Sequence, residues 1–161
     1  HLMKRFGGHE QAAGLEITKE NFGSLRRAVN EVADRHILNA DYASPTLDLD
    51  AEVSLSELTL EAIETLQLLE PFGEGNEAPL FAARQAEVVA TPKVVGRGTG
   101  HLSLLIKQGG GPVFKAIGFG MGAQVSEVQR GDKLRVAFAP IINEFRGVRD
   151  VELSLKAIRR D

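Results

Sequence analysis

Apolar residues near the start of the chain recur at three- and four-residue spacing between Phe22 and Val32. This spacing places them on one face of a helix, so it predicts an amphipathic α-helix over residues 19–37. A short strand is predicted before it, over residues 15–17. No periodicity is found over residues 39–46, which contain a proline, and we interpret them as a linker.

Beyond this linker, apolar and polar residues alternate over residues 47–53, which predicts an edge strand. Ser54 and Glu57 follow with the spacing of a capping box, and they predict a helix over about residues 57–70. The apolar stripe expected to be buried on this helix consists of Ala62, Ile63, Leu66 and Leu69. Pro71 is expected to end the helix.

The second half of the chain consists of short alternating segments separated by turns rich in glycine. The predicted strands cover residues 80–90, 93–97, 101–107, 113–118, 133–142 and 149–158. A helical turn is predicted near residues 123–128 and a hairpin tip over residues 143–147. Five or six short strands with one helix between the later ones are typical of a small Greek-key barrel of the OB type. The predicted fold class is therefore α+β.

The net charge of −3 conceals a division between the two halves of the chain. Residues 1–79 contain 6 Lys and Arg residues and 15 Asp and Glu residues, which gives a net charge of −9. Residues 80–161 contain 13 Lys and Arg residues and 7 Asp and Glu residues, which gives a net charge of +6. Such asymmetry suggests a part that binds a polyanion beside an acidic scaffold. Two ordinary domains of different isoelectric point are the alternative.

Composition indicates the cellular compartment in which the protein is expected to function. The chain has no cysteine, which excludes disulfides and thiolate metal sites and fits a reducing cytoplasm. No apolar run is long enough to span a bilayer, and no signal-peptide pattern opens the sequence. We therefore expect a cytoplasmic protein that does not act at a membrane.

The segment Phe6-Gly7-Gly8-His9 has the composition of an anion-binding loop. Two glycines let the backbone approach a ligand closely and leave their N–H groups free to point at an anion. His9 can donate a ring N–H to a phosphate oxygen. Gly7, Gly8 and His9 are therefore predicted substrate contacts, in a loop that needs structure on both sides.

The sequence gives little support for dinucleotide binding, metal binding or nucleophilic catalysis. Residues 118–123 imitate a dinucleotide fingerprint, but the next strand ends without an acid and no second βαβ unit follows. Asp48 and Asp50 lack a third metal ligand, and no acidic motif accompanies any of the four histidines. No nucleophile elbow is present. We expect no catalytic residue, metal ligand or bound cofactor in this chain.

Nucleic-acid binding is better supported, because basic and aromatic residues accompany the predicted strands and turns of the second half. The candidate contacts are Lys93, Arg97, Lys107, Lys115, Phe145, Arg146 and Arg149. Phe145 and Arg146, at the predicted hairpin tip, are the strongest of them. Phe114 and Phe119 are further stacking candidates, but at least one of them is expected to belong to the barrel core. His101 follows a glycine turn and has two interpretations, a phosphate contact or an ordinary exposed residue, of which the second is expected.

Several motifs, in this order, resemble the C-terminal part of the RecJ exonucleases. They are residues 6–9, 12–14, 69–76, 79–81, 116–122, 131–132 and 142–147. The resemblance implies a member of the DHH phosphoesterases that degrades single-stranded DNA from its 5′ end in recombination and repair. An N-terminal domain of that family holds two Mn²⁺ or Mg²⁺ ions, which activate water. A DHH-associated domain follows, whose Gly-Gly-His loop contacts the nucleotide, and an OB-fold comes next.

By this resemblance, residues 1–46 are the C-terminal portion of a DHH-associated domain and residues 47–161 are the single-strand-binding OB-fold. The metal-binding domain has no counterpart in the sequence, so we expect this polypeptide not to cleave DNA alone. Its expected partners are single-stranded DNA and the missing N-terminal DHH domain. Two alternatives remain open: a stand-alone single-strand-binding or interaction module, and another DHH enzyme such as an oligoribonuclease or an alanyl-tRNA editing domain.

Overall fold

The computed structural model describes residues 2–37, 46–98 and 100–161, and the chain divides into two compact units. The first unit is His1–Leu47 and the second is Asp48–Asp161. The predicted linker over residues 39–46 lies outside the described residues except for Thr46. Each unit is described by itself below.

The first unit is a hairpin followed by a helix. Strands β1 (Met3–His9) and β2 (Ala12–Ile17) pair antiparallel, and a short 3-10 turn, Lys19–Asn21, leads into helix α1 (Phe22–Ile37). The predicted helix over residues 19–37 is therefore confirmed, with a 3-10 first turn. No described side chain of this unit is buried. Phe22, Val29 and Val32 on the apolar stripe of α1 are thus exposed, and the described part of the unit has no core of its own.

Within its described residues, the second unit contains seven strands and one α-helix. Its elements are β3 (Ala51–Glu52), α2 (Leu60–Gln67), β4 (Phe81–Val88), β5 (Lys93–Val95), β6 (His101–Lys107), β7 (Val113–Gly118), β8 (Lys133–Phe145) and β9 (Val148–Arg160). Short 3-10 helices cover Leu55–Glu57 and Gly122–Glu127. The strands predicted from Leu80 onward and the helical turn before β8 are confirmed.

Five of these strands close into a barrel. Their order is β4-β8-β9-β7-β6, and β4 also pairs with β6, which closes the circle. All five contacts are antiparallel except β7 with β9, which is parallel. β4 pairs on both sides because a bulge between Ala83 and Ala86 bends it, with Gln85 at a φ of 53°. A closed five-stranded barrel with one short helix before the fourth strand has the architecture of an OB-fold.

The core follows the alternation of the strands. On β6, Leu102, Leu104 and Ile106 face inward and are buried, whereas the residues between them face outward. Leu55, Leu58 and Ile63, which precede the barrel, are also part of this core cluster. Helix α2 packs against β8 and β9. Burial of each large aliphatic side chain stabilises the unit by about 1.5–3 kcal/mol.

The helix predicted over residues 57–70 is shorter than expected. The capping box forms, since the Ser54 N–H donates to Glu57 Oε2 at 2.6 Å, but it opens only the 3-10 turn Leu55–Glu57. Thr59 then caps α2, its Oγ1 accepting the Ala62 N–H at 3.1 Å. Leu69 lies beyond the end of α2 and is 55% exposed, so its predicted burial was wrong.

The strand predicted over residues 47–53 is likewise reduced to Ala51–Glu52, the only two residues there that pair with β4. Asp50 instead uses its carboxylate to accept the Leu80 N–H at 2.8 Å. This contact gives the Asp-x-Asp segment a structural role. No helix in the described ranges is long and apolar enough to cross a membrane.

Candidate nucleic-acid interface

The β8–β9 hairpin ends in a two-residue turn that displays an aromatic ring and a cation. Phe145 pairs with Val148, and the intervening Arg146 and Gly147 have φ values of 53° and 77°. Two positive φ values at the centre of a two-residue hairpin are those of a type I′ turn. The Phe145 side chain is 64% exposed, and the Arg146 guanidinium carbon lies 5.1 Å from its ring centroid. The tip therefore offers a stacking surface and a positive charge together.

The outer side of the barrel is an accessible sheet across β5, β6, β7 and β9. Strand register places Lys93, Ser103, Ile117 and Ser154 in one row across these strands. Residues paired in register share a face of a sheet. None of the four is buried, so the row is open to a ligand lying across it.

A second row contains Leu105, Lys115 and Glu152, and Lys115 is neutralised there. Its Nζ lies 2.9 Å from Glu152 Oε1, which also accepts a hydrogen bond of 2.9 Å from the Asn143 amide. These side chains line an open groove of about 650 Å³ that extends to Phe145 and Arg146. The groove is polar and of mixed charge, not uniformly positive.

Arg149 lies on the opposite side of β9 from this groove. Alternate residues of a strand face opposite ways, and Asp150 and Glu152 line the groove. Arg149 instead forms an ion pair with Glu64 of helix α2. Arg149 also lines a second open groove together with Lys115 and Glu152, so it is not separated from every outer-face candidate.

The remaining predicted cations differ in their partners. Lys107 lies on the outer face and is 3.8 Å from Glu87. In the parts of the chain that the structure describes, Lys93, Arg97 and Arg146 form no ion pair with a carboxylate. Arg97 is exposed in the glycine-rich turn between β5 and β6. These three cations are the strongest candidates for phosphate contacts.

The structure adds a second aromatic group, which the sequence left undecided. Phe114 is 6% exposed and belongs to the core, so the prediction that at least one of the two candidate phenylalanines is buried is confirmed. Phe119, by contrast, is 63% exposed, and its ring centroid lies 5.0 Å from that of His101. The glycines on both sides of Phe119, Gly118 and Gly120, were the available signal for an exposed loop.

The Gly-Gly-His segment was predicted as a loop, but it forms the end of strand β1. Gly7 pairs with Gly14, Gly8 with Ala13 and His9 with Ala12. A Cβ atom on Gly8 would lie 2.5 Å from the Ala12 carbonyl oxygen, whereas one on Gly7 would meet nothing within 4 Å. The second glycine is thus required by close approach of the two strands. The conformation is extended, so the predicted loop was wrong.

His9 lies at the exposed tip of this hairpin. Its Nδ1 is 3.4 Å from the Gln11 N–H, which donates to it. A neutral histidine that accepts at Nδ1 carries its hydrogen on Nε2, and that N–H is available to a ligand. No group of three His, Asp or Glu side chains is placed to hold a metal ion within the described ranges. The described residues therefore do not fit a metal centre.

The closed barrel, its parallel β7–β9 contact and its exposed outer face define an OB-fold domain. The family model of the RecJ OB domain matches residues 49–157, which covers all of the barrel except the last strand residues. The chain belongs to the RecJ OB domain family. This result confirms the family indicated by the sequence motifs.

Individual curated relatives support the same family assignment. The chain is 29% identical to the single-stranded-DNA-specific exonuclease RecJ of Haemophilus influenzae over 155 residues, and 30% identical to that of Dickeya dadantii over 156 residues. These alignments cover 95% and 96% of this chain, but each covers only 26% of the relative. The chain thus spans about a quarter of the length of the curated relatives it matches.

Solved structures give the same fold. RecJ from Thermus thermophilus in complex with Mn²⁺ matches 99% of this chain with a TM-score of 0.67 and 25% sequence identity. The same protein in complex with Mg²⁺ matches with a TM-score of 0.64 and 23% identity. The chain corresponds to 22% and 23% of those two structures.

Proposed function

We propose that this chain is the C-terminal nucleic-acid-binding region of a RecJ-like, single-stranded-DNA-specific 5′-3′ exonuclease in recombination and repair. The observation that carries this proposal is an OB barrel of the RecJ family with an uncovered outer face. That face is bordered by cations that form no ion pair with a described carboxylate and by an exposed Phe–Arg pair. The strands of an OB-fold that carry this face are those that bind oligonucleotides in the fold generally.

The proposed contacts are of two kinds: cations for the phosphates and an aromatic ring for a base. Lys93, Arg97 and Arg146 supply positive charge to the phosphates, and release of counterions from the strand drives this contribution. Phe145 supplies a ring on which a base stacks, a contact that tolerates any sequence because every base has a π-face. Glu152 and Asp150 keep the middle of the groove from becoming a continuous positive stripe. Binding is therefore expected to be moderate and sensitive to salt.

Gly7, Gly8 and His9 are proposed to contact the nucleotide in the first unit. Two observations support this role: His9 is exposed at a hairpin tip, and its Nδ1 contact leaves Nε2–H free. The extended glycines allow a phosphate to approach the backbone of β1 without meeting side chains. This contact is a grip on substrate and supplies no nucleophile or base.

Hydrolysis is proposed to take place in a DHH domain of the whole protein, outside these residues. The Mn²⁺ or Mg²⁺ ions would be held there and would activate water for attack on the phosphodiester. Incubation of this chain with single-stranded DNA and Mn²⁺ is expected to leave the strand intact. Processive degradation from the 5′ end by the purified chain would overturn this division of labour.

We also propose that the protein is cytoplasmic. The DHH domain is proposed as its partner. The absence of cysteine supports a reducing compartment. We propose no membrane partner.

Titration of a fluorescent oligothymidylate at several salt concentrations tests the binding function. Three unpaired cations predict a slope of log K against log salt concentration of about −2, at about −0.7 per phosphate contact on a single strand. Replacement of Arg146 by Ala should make the slope shallower by about 0.7. Arg149→Ala is the matched control, since it removes the same charge, three residues away, from a side chain that is already paired with Glu64. Absence of binding, or a slope near zero, would contradict the proposal.

A further inference from the structure

Phe119 and His101 form an exposed aromatic pair that the proposed contacts leave unused. Phe119 directly follows β7, and His101 is the first residue of β6. Their rings meet edge to face, with centroids 5.0 Å apart and planes inclined by 61°. An exposed phenylalanine held in this way keeps one face open to solvent. That open face is available for a base to stack on.

The pair is held rigidly by neighbouring glycines. The Gly120 N–H donates to His101 Nδ1 at 3.1 Å, and Gly120 has a φ of 72° that favours glycine. On the other side, a Cβ on Gly96 would lie 2.8 Å from the His101 ring, so only glycine lets the ring pack there. Because its Nδ1 accepts, the neutral ring carries its hydrogen on Nε2. The pair is preorganised, which reduces the entropy lost on binding.

Strand register places this pair far from the hairpin tip on the same outer face. Gly118, next to Phe119, pairs with Leu155 of β9, whereas Phe145 pairs with Val148 at the start of β9. Val148, beside Phe145, and Leu155, beside Gly118, are seven residues apart on β9, which corresponds to about 23 Å. One strand of nucleic acid crossing the face can therefore reach both aromatic groups.

We propose that Phe119 and His101 form a second base-stacking site for single-stranded DNA, at the opposite end of the outer face from Phe145. The open face of Phe119 takes an unpaired base, and His101 Nε2–H donates to a phosphate oxygen or a base acceptor. Lys93 of β5, the strand that pairs with β6 beside His101, and Arg97 in the turn that follows supply positive charge. Double-stranded DNA is not the expected ligand of this site, because its bases are already stacked on one another. This inference rests on the proposed function and adds a site to it.

Single-tryptophan variants test the site directly, because the chain contains no tryptophan. Phe119→Trp and Phe145→Trp each place one fluorescent ring at one end of the face, and stacking of a base quenches its emission. Leu68→Trp is the control, since Leu68 is exposed just beyond α2 and not on the outer face. Oligothymidylates of about 4 and about 16 nucleotides, the limits of OB-fold site sizes, are titrated against each variant.

We expect the longer strand to quench Phe119→Trp and Phe145→Trp, with Leu68→Trp unchanged. Phe119→Ala should weaken binding of the longer strand about tenfold, the typical effect of removing one stacking ring. Its effect on the shorter strand should be smaller, because that strand can bind at the hairpin tip alone. His101→Gln keeps an acceptor for the Gly120 N–H but removes the ring, and it should weaken binding less than Phe119→Ala.

The outcomes separate this inference from the proposed function. Quenching of Phe145→Trp without quenching of Phe119→Trp would overturn the second site and leave the proposed function standing. Equal quenching of Leu68→Trp would overturn the site as well, since contact would then be unspecific. If no variant is quenched and the wild-type chain does not bind, the proposed function fails together with the inference. Circular dichroism of each variant confirms that it is folded.

Discussion

At the scale of single residues, the most informative side chain is Arg146, whose backbone conformation conflicts with its residue type. A φ of 53° is uncommon for residues other than glycine, asparagine and aspartate, and it costs about 1 kcal/mol or more. Asn-Gly is the preferred pair for a type I′ turn, yet this chain has Arg-Gly. Strained residues that persist in a fold often serve its function. The conformation of Arg146 thus has a cost in stability, which fits its proposed contact with single-stranded DNA.

Arg146→Asn should therefore stabilise the protein while weakening its binding to single-stranded DNA. Relief of strain is worth about 1 kcal/mol, against about 0.5 kcal/mol for the lost exposed cation–π contact with Phe145. The net gain of about 0.5 kcal/mol corresponds to a rise in thermal midpoint of about 1–2 °C. Differential scanning calorimetry and an oligothymidylate titration measure the two effects. A variant that loses stability and keeps full affinity would show that this interpretation of the turn is wrong.

Residue type and position allowed part of the site to be predicted from the sequence. The hairpin tip predicted over residues 143–147 is confirmed, and it exposes Phe145, whereas the contact of Phe145 and Arg146 with nucleic acid stays a prediction. Arg149 was grouped with them because a linear sequence does not show which side of β9 meets Glu64 of α2. Phe119 remained ambiguous for the same reason, since its exposure depends on packing at the end of the barrel.

At the scale of elements, the barrel strands were predicted well because each alternates between an apolar inner side and a polar outer side. Strand β6 shows the physical basis most clearly, with Leu104 1% exposed and its neighbour Leu105 41% exposed. The helix α2 was predicted too long, because Thr59 competes with Ser54 as a cap and Leu69 continues an apolar run beyond the helix end. Local cap signals do not reveal which of two closely spaced caps starts the α-helix.

Leu104→Ala and Leu105→Ala form a matched pair on β6. Loss of the buried side chain leaves a cavity and should lower the free energy of unfolding by about 2–5 kcal/mol. Loss of the outer side chain should cost only about 1 kcal/mol, since Leu105 is already 41% exposed and its removal leaves no enclosed cavity. Chemical denaturation measures both values. Similar losses for the two variants would contradict the assignment of inner and outer faces.

A second matched pair lies in the β1–β2 hairpin. Gly8→Ala places a Cβ 2.5 Å from the Ala12 carbonyl oxygen, whereas Gly7→Ala meets nothing within 4 Å. The first variant should destabilise the hairpin by about 1–3 kcal/mol, and the second should be tolerated. Amide hydrogen exchange of β1 and β2 measures the difference. Because the barrel has its own core, its exchange should remain unchanged in both variants.

At the scale of the whole molecule, the two units differ in how their apolar residues are used. The second unit encloses a continuous core, whereas the described part of the first unit leaves Phe6, Phe22 and Val29 exposed. The charge division found in the sequence follows the same split only in part, because α2 and its acidic residues belong to the second unit. Composition alone therefore indicated a binding half but not the domain boundary.

The contact between the residue after β9 and the bulge of β4 depends on pH. Asp161, after the end of β9, accepts the Gln85 backbone N–H at 2.7 Å and the Gln85 side-chain amide at 2.9 Å. These bonds fasten the end of the last strand to the bulge of β4. The backbone hydrogen bond from Gln85 is the main reason that the pKa of Asp161 is held below its usual value, with the nearby Arg135 and Arg84 contributing less.

A carboxylate whose pKa is lower in the folded state stabilises the protein above its unfolded-state pKa, and the benefit disappears as pH falls through the folded value. Asp161→Asn should therefore lower the stability of the second unit at neutral pH but hardly at all in strong acid. The wild type should approach the variant below the range in which aspartate ordinarily titrates. Thermal midpoints of both proteins across an acid pH series measure this convergence. A difference that stays constant with pH would show that the carboxylate charge contributes nothing and that only the shape of the side chain matters at the bulge.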